Sequence, residues 1–414
     1  MMRRGLLWTL VVLTCVVAVA AVGVALPAGR ALGARVIEAL RGEDTSSAAP
    51  EPIRTADLSD TGPGSLVSAT TMPGFARSGY GRGMQSARVE YRSTSGDTGR
   101  ETVVSGTVFT PFGEPPEGGW PVISLGHGTT GIDRECAPSL SDSLLGLAEP
   151  ISGFVKGGYA VAMSDFQGLG ADGVHPYTDG KTAGLNMIDA VRALRHTFTN
   201  VSDRWLAFGG SQGGGASWAA DEQAAGHAPE LDLVGAIANS PAADVTGLVD
   251  KAVAGTLTDD QLPGYQAVVE SLARLHPDVN RDDFRRGPAA QYWDFLSTCA
   301  GMEVHDREAA LKLVTSKDLA PATPAAADRI RELLAAWALP QIRLSAPMSV
   351  IYGADDTYID ARWTTDAIAR ACALGGVIDW ELQPHKGHGD IDIESQFQWL
   401  ADRFAGKPAP NDCT

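Results

Sequence analysis

The sequence predicts an α/β fold: a mostly parallel sheet with helices on both faces and an inserted helical cap. Short apolar runs alternate with helical patterns from residue 121 onward, as in parallel strands covered by helices. Residues 209–215 (GGSQGGG) form a glycine-rich turn with a serine, between one such run and a helix. Residues 246–340 interrupt the alternation with helical patterns and no strand-like run, which predicts a cap over the carboxyl ends of the strands.

The strands follow from the spacing of apolar residues. Residues 85–91 and 103–109 are alternating or β-branched, and they predict an antiparallel pair that ends at Pro111. The buried strands that follow are predicted over residues 121–125, 159–163, 205–208, 233–238, 347–352 and 377–382. Helices are predicted over residues 184–198, 265–275 and 325–339.

Composition excludes several classes of partner. The chain has 414 residues, a net charge of −17 and no basic run after its first residues, so a nucleic acid partner is excluded. It has neither internal repeats nor the Cys and His spacing of a metal site. We therefore expect no metal and no cofactor.

The N-terminus predicts export. A basic start is followed by residues 5–26, which lack charge and are rich in Val, Leu and Ala. Their length leaves open a signal peptide or a membrane anchor, and the location is predicted to be extracellular or in the cell envelope. The predicted segments are 1–34 (signal peptide or anchor), 35–63 (linker), 64–245 (first part of the core), 246–340 (helical cap or lid) and 341–414 (second part of the core).

Four cysteines lie beyond the apolar leader, which itself contains Cys15. They are Cys136, Cys299, Cys372 and Cys413. An even number in an exported protein predicts two disulfides, for which three connectivities are possible.

Ser211 is the predicted nucleophile. A serine between glycines at a sharp strand-to-helix turn stands clear of the sheet, and it begins a helix whose free N–H groups stabilise an oxyanion. This arrangement is that of the α/β-hydrolase fold, in which the triad follows in the order Ser, Asp or Glu, His. Ser211 therefore needs an acid and a histidine later in the chain.

The acid is predicted in residues 353–359, a loop at the end of a strand. Gly353 three residues before and Ile359 three residues after favour Asp356 over Asp355. The histidine is predicted in residues 383–389, again at a strand end.

His388 lies between two glycines, which lets its ring reach the serine. His385 lies between a proline and a lysine and suits a solvated turn, so His388 is preferred.

A second glycine-rich loop, residues 126–131 (GHGTTG), follows the strand predicted over 121–125. A loop in this position supplies one of the two oxyanion N–H groups, while the residue after the nucleophile supplies the other. The predicted donors are Gln212 and either Thr129 or Thr130.

The chain resembles the secretory lipases typified by lipase A of the yeast Candida antarctica, which have many actinobacterial members. The resemblance runs from about Gly64 to Cys413. Its marks are residues 136–139 (CAPS), residues 210–214 (GSQGG), Asp356 with Ile359, and Cys372 placed 16 residues before His388. It implies the triad Ser211, Asp356 and His388, a lid-like helical cap, and the disulfides Cys136–Cys299 and Cys372–Cys413. Residues 127–130 depart from the yeast enzyme and look more like bacterial esterases.

The function predicted from the residues and the resemblance is that of an exported serine carboxylic-ester hydrolase, a lipase or esterase. It would cleave lipid esters, triacylglycerols among them, through an acyl-enzyme on Ser211. The alternatives are an exported peptidase of the prolyl-oligopeptidase type, a cell-envelope acyltransferase and a non-catalytic binding protein. The peptidase is disfavoured because the N-terminal segment is too short for a propeller domain.

Overall fold

The computed structural model describes residues 48–299 and 304–413, without the side chains of residues 304–306. By its contacts the chain divides into Met1–Ala49 and Pro50–Thr414, and the fold below is that of the second unit. The predicted leader, residues 1–34 with the apolar run 5–26, lies outside the described residues. Within those residues, no helix combines the length and the apolar character needed to cross a bilayer.

The nine-stranded sheet confirms the predicted fold class, with the strand order β1-β2-β3-β5-β4-β6-β7-β8-β9. The strands are Leu66–Thr71, Met84–Thr94, Glu101–Pro111, Trp120–Gly126, Ala160–Ser164, Val201–Gly210, Asp232–Asn239, Met348–Gly353 and Ile378–Gln383 (β1 to β9). Strands β4 to β9 pair in parallel, whereas β1 to β3 are antiparallel and β3 joins β5 antiparallel. All eight predicted strands are present, and β1 was not predicted.

Residues 50–63 differ from the linker predicted over 35–63. The N–H of Ile53 donates to the carbonyl of Ala69 at 3.0 Å, and Pro52 forms a β-bridge with Thr70. Ile53 and Ala56 pack against the core. These bonds cover the free edge of β1, which would otherwise expose unpaired backbone groups. The folded unit therefore begins near Pro50 and not at Gly64.

Helices cover both faces of the sheet. The helices of the described residues are Pro73–Arg77, Ala148–Lys156, Gly180–Thr197, Gln212–His227, Gly247–Ala254, Gln261–Leu275, Gly287–Gln291, Trp293–Leu296, Val304–Leu311, Pro324–Trp337, Ala361–Ala373 and Glu394–Phe404 (α1 to α12). Helices α3, α4 and α11 contribute to one apolar core, and α2 and α12 contribute to another. Val122 belongs to the first core and its neighbour Ile123 to the second, because successive side chains of a strand point to opposite faces.

The segment between β7 and β8 is helical and, in its described part, contains no strand. Its helices α5 to α10 pack around a separate apolar core that includes Tyr265, Trp293 and Ile330. Ile132 and Ile359, from loops at the carboxyl ends of strands, belong to the same core. The segment therefore packs against the sheet edge where parallel strands end.

The described residues contain two disulfides, and both are those that the resemblance implied. Cys136 is bonded to Cys299, which joins the loop after β4 to the helical segment. Cys372 is bonded to Cys413, which joins α11 to the C-terminal residues.

Candidate active site

Ser211 occupies a strained turn between β6 and α4. Its φ and ψ angles are 58° and −122°, a conformation that non-glycine residues rarely adopt. The N–H of Ser211 donates to the carbonyl of Asn239, at the end of β7, at 2.8 Å, which holds the turn in place. Ser211 lines a cavity of about 490 Å³.

The glycines around Ser211 have different roles. A Cβ at Gly209 would overlap the carbonyl oxygen of Gly213, and a Cβ at Gly213 would overlap that of Gly126. A Cβ at Gly210 would come no closer than 3.8 Å to another residue. Glycine is thus required at 209 and 213, where the helix meets the strands. Position 210, directly before the serine, has room for a Cβ.

Asp356 and His388 are in direct contact. His388 Nδ1 lies 2.7 Å from Asp356 Oδ2, while Asp356 Oδ1 accepts from the N–H groups of Tyr358 at 2.8 Å and Ile359 at 3.0 Å. An ionised carboxylate only accepts hydrogen bonds, so Nδ1 carries the proton. The other ring nitrogen, Nε2, is then free to accept a proton from a nucleophile.

Backbone contacts hold the two loops side by side. The N–H of Asp355 donates to the carbonyl of Lys386 at 2.9 Å, and the N–H of Ala354 donates to that of Gln383 at 3.0 Å. A Cβ at Gly353 would overlap the carbonyl of Lys386. Glycine at this position therefore allows the close approach that aligns the acid with the histidine.

The competing acid and histidine lie in solvent. The side chains of Asp355 and His385 are 66% and 94% exposed, and His385 Nδ1 lies 3.8 Å from Asp355 Oδ2. Those of Asp356 and His388 are 2% and 16% exposed. The geometry favours the same pair that the sequence favours.

Ser211 and His388 line the same cavity, which the ring of Tyr358 also lines. That ring lies 4.9 Å from the imidazole of His388, between centroids. Within the described part of the chain, no hydrogen bond joins Ser211 Oγ to His388. Such bonds often tighten only when substrate is bound.

The predicted oxyanion donors differ in position. Gln212 is the first residue of α4, so its backbone N–H has no partner within the helix. Thr129 lines the cavity, and a Cβ on its neighbour Gly128 would lie 3.9 Å from Ser211 Cβ. Thr130 is buried and is absent from the cavity wall that the described residues form. The geometry therefore favours Gln212 and Thr129 over Thr130.

His175 is a residue of the site that the sequence did not indicate. Its Nδ1 lies 2.9 Å from the backbone carbonyl of Gln167, and its Nε2 lies 2.8 Å from the side-chain nitrogen Nε2 of Gln212. Because a carbonyl only accepts, Nδ1 carries the proton and Nε2 accepts from Gln212. Burial lowers the pKa of His175 to about 4, which keeps the ring neutral. His175 thus holds the residue that follows the nucleophile.

The neutral state of His175 predicts a pH dependence of stability. Its pKa of about 4 lies below the value of 6.5 for an exposed histidine, so its contribution is complete above pH 6.5 and is lost as pH falls towards 4. We expect the stability advantage of wild type over His175→Gln to shrink by up to about 3 kcal/mol between pH 7 and pH 4. Urea unfolding at several pH values measures it. The exposed His385→Gln control is expected to lack this trend, and a pH-independent difference for His175→Gln would contradict the prediction.

In the described parts of the chain, no group of three or more His, Cys, Asp or Glu side chains is arranged to hold a metal ion.

Comparison with known proteins finds similarity to lipases. The model of the secretory lipase family matches residues 148–301. The probable inactive lipase MT1628 of Mycobacterium tuberculosis is 26% identical over 342 residues, which cover 77% of this chain and 73% of that protein. Lipase 6 of Candida albicans is 24% identical over 349 residues, which cover 74% of this chain and 70% of that protein.

Solved structures share the fold. Candida antarctica lipase A in its closed state has a TM-score of 0.70 at 19% identity and covers 90% of this chain and 88% of its own. The rice cell wall degrading esterase LipA of Xanthomonas oryzae, in a ligand-bound form, has a TM-score of 0.63 at 22% identity. The match covers 83% of this chain and 97% of LipA. The chain is therefore similar to secretory lipases over residues 148–301 and to lipases over most of its length, and it shares its fold with lipase A and LipA.

Proposed function

We propose that the protein is an exported serine hydrolase that cleaves lipid esters through an acyl-enzyme on Ser211. The observation that carries this proposal is the 2.7 Å hydrogen bond between His388 Nδ1 and Asp356, at the cavity that Ser211 also lines. The strained turn at Ser211 is the second support, because such strain is typical of functional positions.

The proposed reaction proceeds in two steps. Ser211 Oγ attacks the ester carbonyl carbon while His388 Nε2 takes its proton, and Asp356 stabilises the imidazolium. The backbone N–H groups of Gln212 and Thr129 stabilise the oxyanion. The alcohol leaves with the proton from His388, and water then releases the acyl group by the same path.

The cavity wall supports an ester with an apolar part. Its apolar lining residues include Ile132, Val245, Leu248, Val268, Leu296, Leu311 and Ile359. Most of these residues belong to the helical segment between β7 and β8, which we propose acts as a cap or lid. An acyl chain, including that of a triacylglycerol, suits such a wall.

Export is supported by the disulfides. Cys136–Cys299 and Cys372–Cys413 suit an oxidising compartment, and the basic, then apolar N-terminal sequence suits a signal peptide or an anchor.

The alternatives differ in how well they are supported. A peptidase is not favoured, since the family match and the related sequences are lipases or esterases. Acyl transfer to an envelope alcohol would use the same residues with another acceptor. A non-catalytic protein deserves a test because one relative is named a probable inactive lipase.

Labelling and hydrolysis by the purified protein test the proposal. We expect a fluorophosphonate probe to label it, and we expect hydrolysis of p-nitrophenyl esters between acetyl and oleoyl but not of a peptide p-nitroanilide. Failure of both labelling and ester hydrolysis would favour the non-catalytic protein, and peptide cleavage would favour the peptidase.

A further inference from the structure

We propose that Arg307 makes this site select esters that carry a carboxylate close to the ester group. This inference deepens the proposed function and rests on it for the hydrolytic step. The anion could lie on the acyl or on the alcohol side, and the substrates used below distinguish the two.

Arg307 lies in helix Val304–Leu311, and it lines the cavity with Ser211 and His388. Tyr177 and Tyr358 line the same cavity as Arg307. These tyrosines adjoin the two halves of the site, because Tyr177 hydrogen-bonds the hydroxyl of Thr129 at 2.8 Å and Tyr358 packs on His388. The guanidinium is therefore close to the reacting groups.

The guanidinium has no acidic partner among the described residues. Its Nε donates to the carbonyl of Leu296 at 3.3 Å, and its two terminal nitrogens have no hydrogen bond to any described residue. Arg331, also in the helical segment, differs in that it pairs with Asp250 and Asp328. Of the described residues that line the cavity, Arg307 is the only arginine, and none is a lysine.

Burial of the Arg307 guanidinium is unfavourable in free energy for the protein without a ligand. The pKa of Arg307 is lowered, chiefly because burial removes water from the charged guanidinium. Arginine nevertheless remains charged in proteins, so the charge has to be stabilised by other means. A substrate carboxylate would accept from the two terminal nitrogens in the planar geometry that guanidinium groups favour.

The acidic residues of the cavity do not neutralise Arg307. Asp259 and Asp260 line the same cavity, but neither carboxylate lies within ion-pair distance of the guanidinium. Asp260 accepts from the hydroxyl of Thr357 at 2.6 Å, and Asp356 is bonded to His388. A substrate anion at Arg307 would therefore displace no carboxylate that belongs to a described residue.

Matched ester pairs test the selection. For the acyl side, p-nitrophenyl hydrogen adipate is compared with p-nitrophenyl hexanoate, and for the alcohol side, 4-(butyryloxy)benzoate with phenyl butyrate. The readout is the ratio of kcat/KM for the anionic ester to that for the neutral ester, which cancels a general loss of activity. In Arg307→Gln we expect this ratio to fall by about tenfold or more for one pair.

The controls separate charge from position and geometry. Arg331→Gln removes the same charge from a surface ion pair and is expected to leave both ratios within about twofold of wild type. Arg307→Lys keeps the charge without the planar fork and is expected to give an intermediate ratio. Wild-type ratios for both pairs in Arg307→Gln and Arg307→Lys would overturn the proposal.

A binding experiment keeps the inference independent of catalysis. Monoethyl adipate is titrated into Ser211→Ala and into Ser211→Ala with Arg307→Gln by calorimetry, and we expect affinity at least about tenfold weaker in the second. If the protein hydrolyses no ester yet this difference appears, the proposed function fails and the anion site stands. Equal affinity in the two variants overturns the anion site.

Discussion

Replacing Ser211 by alanine is expected to lower kcat for p-nitrophenyl butyrate by about a millionfold. The substitution removes the Oγ that would form the acyl-enzyme in the proposed reaction, while the backbone N–H groups of Gln212 and Thr129 remain. In the proposed mechanism those groups would still stabilise an oxyanion, so we expect a rate about 10³ to 10⁴ times that of the reaction in water to persist. Initial rates at saturating ester, together with fluorophosphonate labelling, measure the loss.

Ser217→Ala is the matched control for this experiment. Ser217 lies in the same helix, α4, and its hydroxyl is fully buried with no hydrogen-bond partner among the described residues. The same chemical change there is expected to leave kcat within about twofold. Retention of full activity by Ser211→Ala would show that another residue is the nucleophile.

The parallel part of the fold could be predicted because its strands are buried on both faces. Such strands appear as continuous apolar runs, and residues 121–125 and 205–208 fall within β4 and β6. The loops that hold Asp356 and His388 could be placed for the same reason, since parallel strands end at one edge. The preference for His388 over His385 came from local chemistry alone.

The edge of the sheet could not be predicted in this way. Strand β1 (LVSATT) buries only Leu66 and Ala69, so its polar residues hide the alternation. Residues 50–63 are rich in residues typical of linkers, yet their backbone hydrogen-bonds to β1. Backbone hydrogen bonds hold these segments in place, and such bonds form with most residue types.

Contacts between residues that are far apart along the chain also could not be predicted from the sequence. His175 and Gln212 are 37 positions apart, and no motif links them. That Arg307 has no acidic partner among the described residues depends on how the described parts of the helical segment are arranged. The disulfide pairing came from the resemblance, because counting cysteines left three connectivities.

Asp356→Asn is expected to lower kcat by about 10⁴-fold, through the tautomer of His388. The N–H groups of Tyr358 and Ile359 donate to one oxygen of Asp356, so the carbonyl oxygen of the new amide has to take that place. Its NH₂ group then faces His388 Nδ1, which has to become an acceptor. The ring proton moves to Nε2, and that nitrogen can no longer accept the proton of Ser211.

Asp355→Asn makes the same change one residue earlier and is the control. Asp355 is 66% exposed and lies 3.8 Å from His385, so we expect kcat within about twofold of wild type. His388→Ala and His385→Ala repeat the comparison for the base, with a loss of about 10⁶-fold expected only for His388→Ala. If the larger losses followed Asp355 and His385, the 2.7 Å contact between Asp356 and His388 would be structural, and the proton would pass through the exposed pair.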